Sequence, residues 1–335
     1  MSLLSPRPSS QSSSQLSSQP SSTSPRSTHR FQHHFPWLYA FWKFSRPHTI
    51  IGTSLSAIGL WLIALAETGR WDLGVVALPA LAGALLACLC GNVYIVGLNQ
   101  LEDVEIDQVN KPHLPLASGE FSRSQGLAIV VLSGIAALGL SAVQGVWLMA
   151  TVWTSLLIGT AYSLPPIRLK RFPVWASLCI FTVRGGIVNL GLFLHFNQSF
   201  QGVPRLPVTV WALTLFVVVF TFAIAIFKDI PDMEGDRRYQ ITTFTIRLGA
   251  IAVFRLARLV LTACYLGMIW AGFWLPGVNP VFLIATHALL LIALWLRSLQ
   301  VDLQQKTQVA RFYQFIWKLF FLEYVLFPIA CLLAT

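Results

Sequence analysis

Two clusters of carboxylates stand out in a chain that is otherwise mostly hydrocarbon. The first reads Asn99-Gln100-Leu101-Glu102-Asp103-Val104-Glu105-Ile106-Asp107 and the second Lys228-Asp229-Ile230-Pro231-Asp232-Met233-Glu234-Gly235-Asp236. Each follows a long apolar run. Ionised carboxylates are expensive beside lipid and persist there with a partner or a function. Hard divalent cations seek oxygen ligands, and magnesium usually binds through one or two carboxylates together with substrate phosphates. Two clusters facing one cavity are therefore expected to hold magnesium and a diphosphate at the edge of a membrane.

The spacing supports this chemistry. Asn99, Asp103 and Asp107 recur every four residues and share one face if the segment is helical. An acidic helix C-terminus opposes the helix dipole, which argues for a compensating cation. Asp229, Asp232 and Asp236 also share a face if the helix persists through Pro231; alternatively the proline breaks it and leaves Asp232 and Asp236 on a new turn. The expected metal ligands are Asn99, Asp103, Asp107, Asp229, Asp232 and Asp236, with Asp103, Asp107, Asp232 and Asp236 as the catalytic carboxylates. Arg46, Lys111, Arg168, Lys170 and Lys228 border the clusters and are expected to bind diphosphate oxygens. Arg171, Arg237 and Arg238 read as topology determinants or lipid headgroup contacts. Arg184 lies inside an apolar run, where an arginine commonly faces a cavity. It is expected to meet a substrate carboxylate or, alternatively, a structural partner. Lys318, Glu323, His195 and His287 read as packing or hydrogen-bonding groups, while His48 and His113 border the site without an assigned role. Five cysteines in apolar stretches read as buried structural thiols.

These groups need a membrane scaffold. The 335 residues are 55% hydrophobic and 11% charged, against about 25% charged in soluble domains. The net charge of +10 is explained by basic loops on one side of a membrane rather than by nucleic acid. Nine spans of membrane-crossing length are expected, over His48–Ala66, Val75–Gln100, Leu127–Gln144, Val146–Ser163, Val174–Phe196, Val208–Phe227, Ala250–Phe273, Val281–Leu296 and Phe312–Leu333. The third and fourth are nearly contiguous, so a tight hairpin joins them. Both acidic clusters and nearly all the basic residues then lie on one face, expected to be cytoplasmic or stromal; Arg70 and Arg205 lie on the other. Residues 1–35, rich in Ser, Gln and Pro, are expected to be a disordered segment, a composition that also fits a plastid transit peptide. Residues 36–335 form the transmembrane domain, an all-α bundle around a central cavity. Each acidic cluster follows an even-numbered span, which suggests an internal duplication.

The chain resembles the UbiA superfamily of intramembrane aromatic prenyltransferases from about Phe41 onward. Asn99, Asp103 and Asp107 meet its NxxxDxxxD pattern, and Asp229, Asp232 and Asp236 its second aspartate-rich motif. Four longer strings, Gly97-Leu98-Asn99-Gln100-Leu101, Asn110-Lys111-Pro112-His113-Leu114-Pro115-Leu116-Ala117-Ser118-Gly119, Phe227-Lys228-Asp229-Ile230-Pro231-Asp232 and Phe312-Tyr313-Gln314-Phe315-Ile316-Trp317-Lys318-Leu319-Phe320-Phe321, are similar to the branch that prenylates homogentisate. The resemblance implies a nine-helix fold, Mg2+ as cofactor, phytyl diphosphate as donor, homogentisate as acceptor and a place in tocopherol biosynthesis. It also implies that Tyr162 and Lys170 contact substrate, although they stand farther apart than is usual in the family, and that Lys111 replaces an arginine-rich stretch. A photosynthetic membrane, thylakoid or plastid envelope, or a bacterial inner membrane is the implied location. A solanesyl donor, or the chlorophyll synthase or hydroxybenzoate branch, would use the same ion chemistry. An ion or metabolite transporter is the competing class, but its acids are expected near the bilayer midplane, not at one rim.

Overall fold

The computed structural model describes residues 34–69, 72, 77–239 and 242–334. Of a first unit, residues 1–39, only 34–39 are described, and they open a helix, α1 (Pro36–Phe44). The segment expected to be disordered therefore lies, but for its last two residues, outside the described residues. The second unit, residues 40–335, carries everything that follows.

Among the described residues of this unit, nine helices are long and apolar enough to cross a membrane. They are α2 (Pro47–Thr68), α3 (Leu78–Glu102), α5 (Arg123–Gln144), α6 (Val146–Ser163), the composite span Pro173–Gln201, α9 (Val208–Phe227), α12 (Ala250–Ala271), α13 (Pro280–Ser298) and α14 (Lys306–Leu332). The composite span consists of α7 (Pro173–Phe181), a wide π turn (Thr182–Ile187) and α8 (Val188–Gln201). Between spans, among the described residues, lie three short α-helices, α4 (Val104–Asn110), α10 (Asp229–Arg238) and α11 (Phe244–Leu248), and a single 3-10 turn, Leu169–Arg171. No strand occurs among the described residues. The expected all-α bundle of nine spans is what is found, with ends shifted by a few residues.

Local sequence explains where these helices start and stop. Pro47 and Pro280 open α2 and α13, where a missing N–H costs nothing. Ser122 and Gln125 form a capping box at the start of α5. The α5–α6 hairpin turns on Gly145, whose φ of 113° is open to glycine. Outward faces carry large apolar side chains, among them Leu132, Leu157 and Val281 at 68%, 71% and 77% exposure. In water that display would be an aggregation liability; in a bilayer it faces lipid.

The interior is built around α9. Its Leu213, Val217, Phe220, Ile224 and Phe227 alternate by four and three residues and are buried, giving one apolar stripe. They join Phe254, Tyr265, Phe312 and Phe320 in the main core. On the other side α3 and α5 approach closely because small residues line their contact. A Cβ added at Gly134 would stand 2.7 Å from the Tyr94 ring. Deep in the core, His287 and Glu323, both without exposure, meet at 3.1 Å, so these two histidine and glutamate side chains tie α13 to α14 as hydrogen-bonding groups. Cys179, Cys264 and Cys331 are buried free thiols, but Cys88 and Cys90 are only half-buried, and Cys88 and Cys179 line the cavity described next.

Candidate active site

At the ends of α3 and α9 the chain does something the apolar runs do not require. Helix α3 stops at Glu102, Asp103 takes a non-helical conformation (φ −116°, ψ 19°), and α4 begins at Val104. The expected single helical face through Asn99, Asp103 and Asp107 is thus broken at its middle residue. The four-residue link survives the break: the Asp107 amide donates to the Asp103 carbonyl at 2.8 Å, and the Asn99 amide donates to the Asp103 carboxylate at 3.1 Å. The second cluster also sits on a new helix. Helix α9 ends at Phe227 and α10 carries Asp229, Asp232 and Asp236 together. Pro231 falls in the first turn of α10, where it removes no intrahelical hydrogen bond. The chain therefore breaks before the proline, and all three aspartates stay on one short helix.

The two rim helices meet. The Gly235 amide donates to the Asn110 side chain at 2.9 Å, and the Tyr239 hydroxyl donates to the Glu105 carbonyl at 3.1 Å. Lys111, just past α4, donates to Asp232 of α10 at 2.6 Å. Both clusters consequently open into one cavity of about 390 Å³. Asn99, Asp103, Asp107, Asp229, Asp232 and Asp236 all line it, as do Arg46, Lys111, Tyr162, Lys170, Arg184 and Lys228. Arg168 does not line the cavity and reaches it through Asp103, at 3.0 Å.

The rim is a lattice of ion pairs. Lys170 joins Arg168 on Asp103, at 2.6 Å. Lys228 lies 3.0 Å from Asp229. Arg46 donates to Asn99 at 3.3 Å and stands 3.9 Å from Asp107. Arg46 and Arg168 hold left-handed backbones, with φ of 53° and 40°, a conformation that costs a non-glycine residue of order 1 kcal/mol or more and gathers at functional sites. At Arg46 the strain is over-determined locally, because both the amide and the hydroxyl of Thr49 donate to its carbonyl, each at 2.8 Å.

Some carboxylates remain under-compensated. One Asp107 oxygen is buried without a hydrogen-bond partner. Burial pushes the Asp107 carboxyl up from its ordinary value against the pull of Arg46 and Lys111. Asp236 is pushed up to about 7, by burial first and then by the charges of Asp232 and Asp229. An all-oxygen donor set with unrelieved mutual repulsion fits a hard divalent cation. Among the described residues no three acidic, histidine or cysteine side chains are already gathered as a cage.

Sequence reasoning overlooked several lining residues. Asn92 donates to the Thr49 hydroxyl at 3.0 Å and lines the cavity. It stands two helical turns before Asn99, a polar residue in an apolar span, and that spacing was its signal. Trp317 also lines the cavity and packs ring to ring against His48, with centroids 4.8 Å apart; of the two histidines expected to border the site, His48 lines it. His113 does not line it.

The sequence pattern of the UbiA prenyltransferase family matches residues 55–319. Homogentisate phytyltransferase of Synechocystis sp. is 56% identical over 294 residues, covering 88% of this chain and 96% of its own. Homogentisate phytyltransferase 1 of Arabidopsis thaliana, a chloroplastic protein, is 43% identical, covering 87% of this chain and 75% of its own. Among solved structures, a UbiA homolog from Archaeoglobus fulgidus bound to GPP and Mg2+ superposes with a TM-score of 0.57 at 16% identity. The match covers 88% of this chain and 99% of that one.

Proposed function

The chain belongs to the UbiA prenyltransferase family, and we propose that it transfers a phytyl group from phytyl diphosphate to homogentisate with loss of carbon dioxide, giving methyl-phytyl-benzoquinol. It is an integral membrane enzyme of the tocopherol pathway. The observation that carries the reading is the meeting of the two aspartate helices on one cavity, bridged by Lys111 and Asp232 at 2.6 Å. The 56% identity to a homogentisate phytyltransferase over most of both chains supports the choice of branch.

Asn99, Asp103 and Asp107 from one side and Asp229, Asp232 and Asp236 from the other would hold magnesium. When bound, magnesium neutralises diphosphate charge and eases departure of the leaving group. Arg46, Lys111, Lys170 and Lys228 exchange their aspartates for phosphate oxygens, and Arg168 behind Asp103 adds to the positive potential where the leaving group gathers charge. Ile95, Leu156, Ile180 and Ile224 line the same cavity and exclude water from the allylic carbon as its C–O bond breaks. Tyr162 also lines the cavity, and an aromatic ring there attracts a developing cation through its quadrupole. The electron-rich ring of the acceptor forms the new C–C bond and gives up its proton, the carboxymethyl group loses carbon dioxide, and its methylene carbon takes up a proton to become the methyl, so that diphosphate and carbon dioxide are the leaving products. The rim with the ion pairs faces the cytoplasm or stroma, and the membrane is a thylakoid, plastid envelope or bacterial inner membrane.

The test is reconstitution of purified protein in lipid nanodiscs with magnesium, homogentisate and a panel of phytyl, geranylgeranyl and solanesyl diphosphates. Equimolar prenyl-quinol and carbon dioxide, fastest with the phytyl donor, is the expected result. A faster rate with another donor moves the chain to a neighbouring branch, and the absence of any prenylated homogentisate refutes the reading.

A further inference from the structure

The cations around the cavity differ in one respect. Arg46, Lys111, Lys170 and Lys228 each face an aspartate, at 3.9, 2.6, 2.6 and 3.0 Å. Arg184 also lines the cavity, yet among the described residues no carboxylate lies within ion-pair distance of it. It sits well inside the span Pro173–Gln201, where an uncompensated guanidinium is costly and marks a functional path.

The fold holds Arg184 there deliberately. It stands on the π turn Thr182–Ile187, an arrangement frequent at functional sites. Asn189 fastens the turn, donating to the Gly185 carbonyl at 2.8 Å and accepting from the Tyr324 hydroxyl of α14 at 2.7 Å. The guanidinium carbon lies 4.8 Å from the Trp317 ring centroid and 5.6 Å from that of Phe320. Trp317 in turn packs against His48. The result is a planar cation framed by aromatic faces, apart from the aspartates that gather metal.

We infer that Arg184 is the anchor for the carboxylate of the aromatic acceptor, with Trp317 and His48 as the wall against which the acceptor ring lies. This rests on the prenyltransferase reading above. A guanidinium presents two parallel donors to a carboxylate, and the aromatic wall suits a ring carrying that acid. The rim cations, each matched to an aspartate, are left for the diphosphate. Acceptor choice is therefore set in the membrane interior and donor capture at the rim. Asn189 and Tyr324 are positioning residues that keep the anchor aimed.

The experiment measures equilibrium binding of homogentisate and of its methyl ester to wild type, Arg184→Gln and Arg184→Lys, with magnesium and a non-hydrolysable phytyl diphosphate analogue bound, because the ester cannot lose carbon dioxide and turnover would mix anchoring with decarboxylation. Losing a charge-assisted contact is worth about 10- to 100-fold in affinity, and wild type is expected to prefer the acid by that factor. Arg184→Gln is expected to lose the acid preference and to keep the affinity for the donor analogue. Arg184→Lys is expected to restore part of the preference. Equal binding of acid and ester by wild type overturns the inference, and so does an acid preference that survives Arg184→Gln; both leave the prenyltransferase reading standing. Should Arg184→Gln not fold, the wild-type comparison and Arg184→Lys still decide. Wild type that binds neither acceptor and forms no prenylated homogentisate overturns both the inference and the reading beneath it.

Discussion

Asp103 is the most heavily shared carboxylate at the rim, contacted by Asn99, Arg168 and Lys170, and Asp232 holds Lys111 from the opposite helix. Asp103→Ala and Asp232→Ala are each expected to lower kcat/KM by about 100-fold or more, the scale set by losing a preorganised electrostatic group. Gel filtration in detergent should show both variants intact; near-wild-type turnover in either would remove that aspartate from the proposed chemistry. Asp236 gives a pH prediction. Its carboxyl is raised to about 7, so the metal-free fold keeps this proton well above the ordinary carboxylate range. The stability gained from the proton is complete below that range and is lost as pH rises through about 7. A metal must displace the same proton, so magnesium affinity is expected to fall about tenfold per pH unit below 7. Calorimetric titration across pH 5.5–8.5 (roughly the window bracketing that value) checks the slope, and Asp236→Asn should flatten it.

Two short helices, α4 and α10, convert membrane spans into a site. They are joined by the hydrogen bond from the Gly235 amide to Asn110. Asn110→Ala removes an acceptor worth about 1 kcal/mol net, and the donor KM is expected to rise about fivefold with little change in acceptor KM. Gly235→Ala acts more strongly in the same direction, because a Cβ there would strike the Asn110 side chain. Donor and acceptor KM values measured side by side check both variants; a change confined to the acceptor would mean that the helix contact does not shape the diphosphate end. The break at Asp103 has the same significance. A continuous helix would carry Asp107 onward along the axis of α3, whereas the break lets α4 turn toward α10.

At the scale of the whole molecule, the rim stores its cations on its own aspartates. Magnesium alone must dislodge lysines and arginines from those aspartates and leave them unpaired. With diphosphate present, the displaced cations gain phosphate oxygens. The two ligands should therefore bind with positive coupling, each raising the other's affinity by about 5- to 150-fold. Thermal unfolding in nanodiscs checks this: magnesium or a non-hydrolysable prenyl diphosphate alone should raise Tm slightly, and the two together by more than the sum. Strict additivity would show that the ion pairs do not exchange as described. Chelation of magnesium should abolish turnover and, by the same coupling, weaken donor binding.

The nine spans, the helical hairpin at Gly145 and the two aspartate clusters were legible in the sequence, because apolar run length and the expense of carboxylates near lipid are local properties. The oxygen-rich chemistry was legible for the same reason, since residue type fixes what a side chain can donate or accept. Which aspartate each cation faces was not legible. Lys111 with Asp232 and Lys170 with Asp103 join positions far apart in the chain, and no spacing rule reaches across such gaps. The helix breaks at Asp103 and before Pro231 also belong to the tertiary structure, because local propensity permits a continuous helix at the first site and a later break at the second. Arg184 shows the division most plainly. Its presence in an apolar run announced a purpose, but only the packed bundle decided that the rings of Trp317 and Phe320, and no carboxylate among the described residues, would stand beside it.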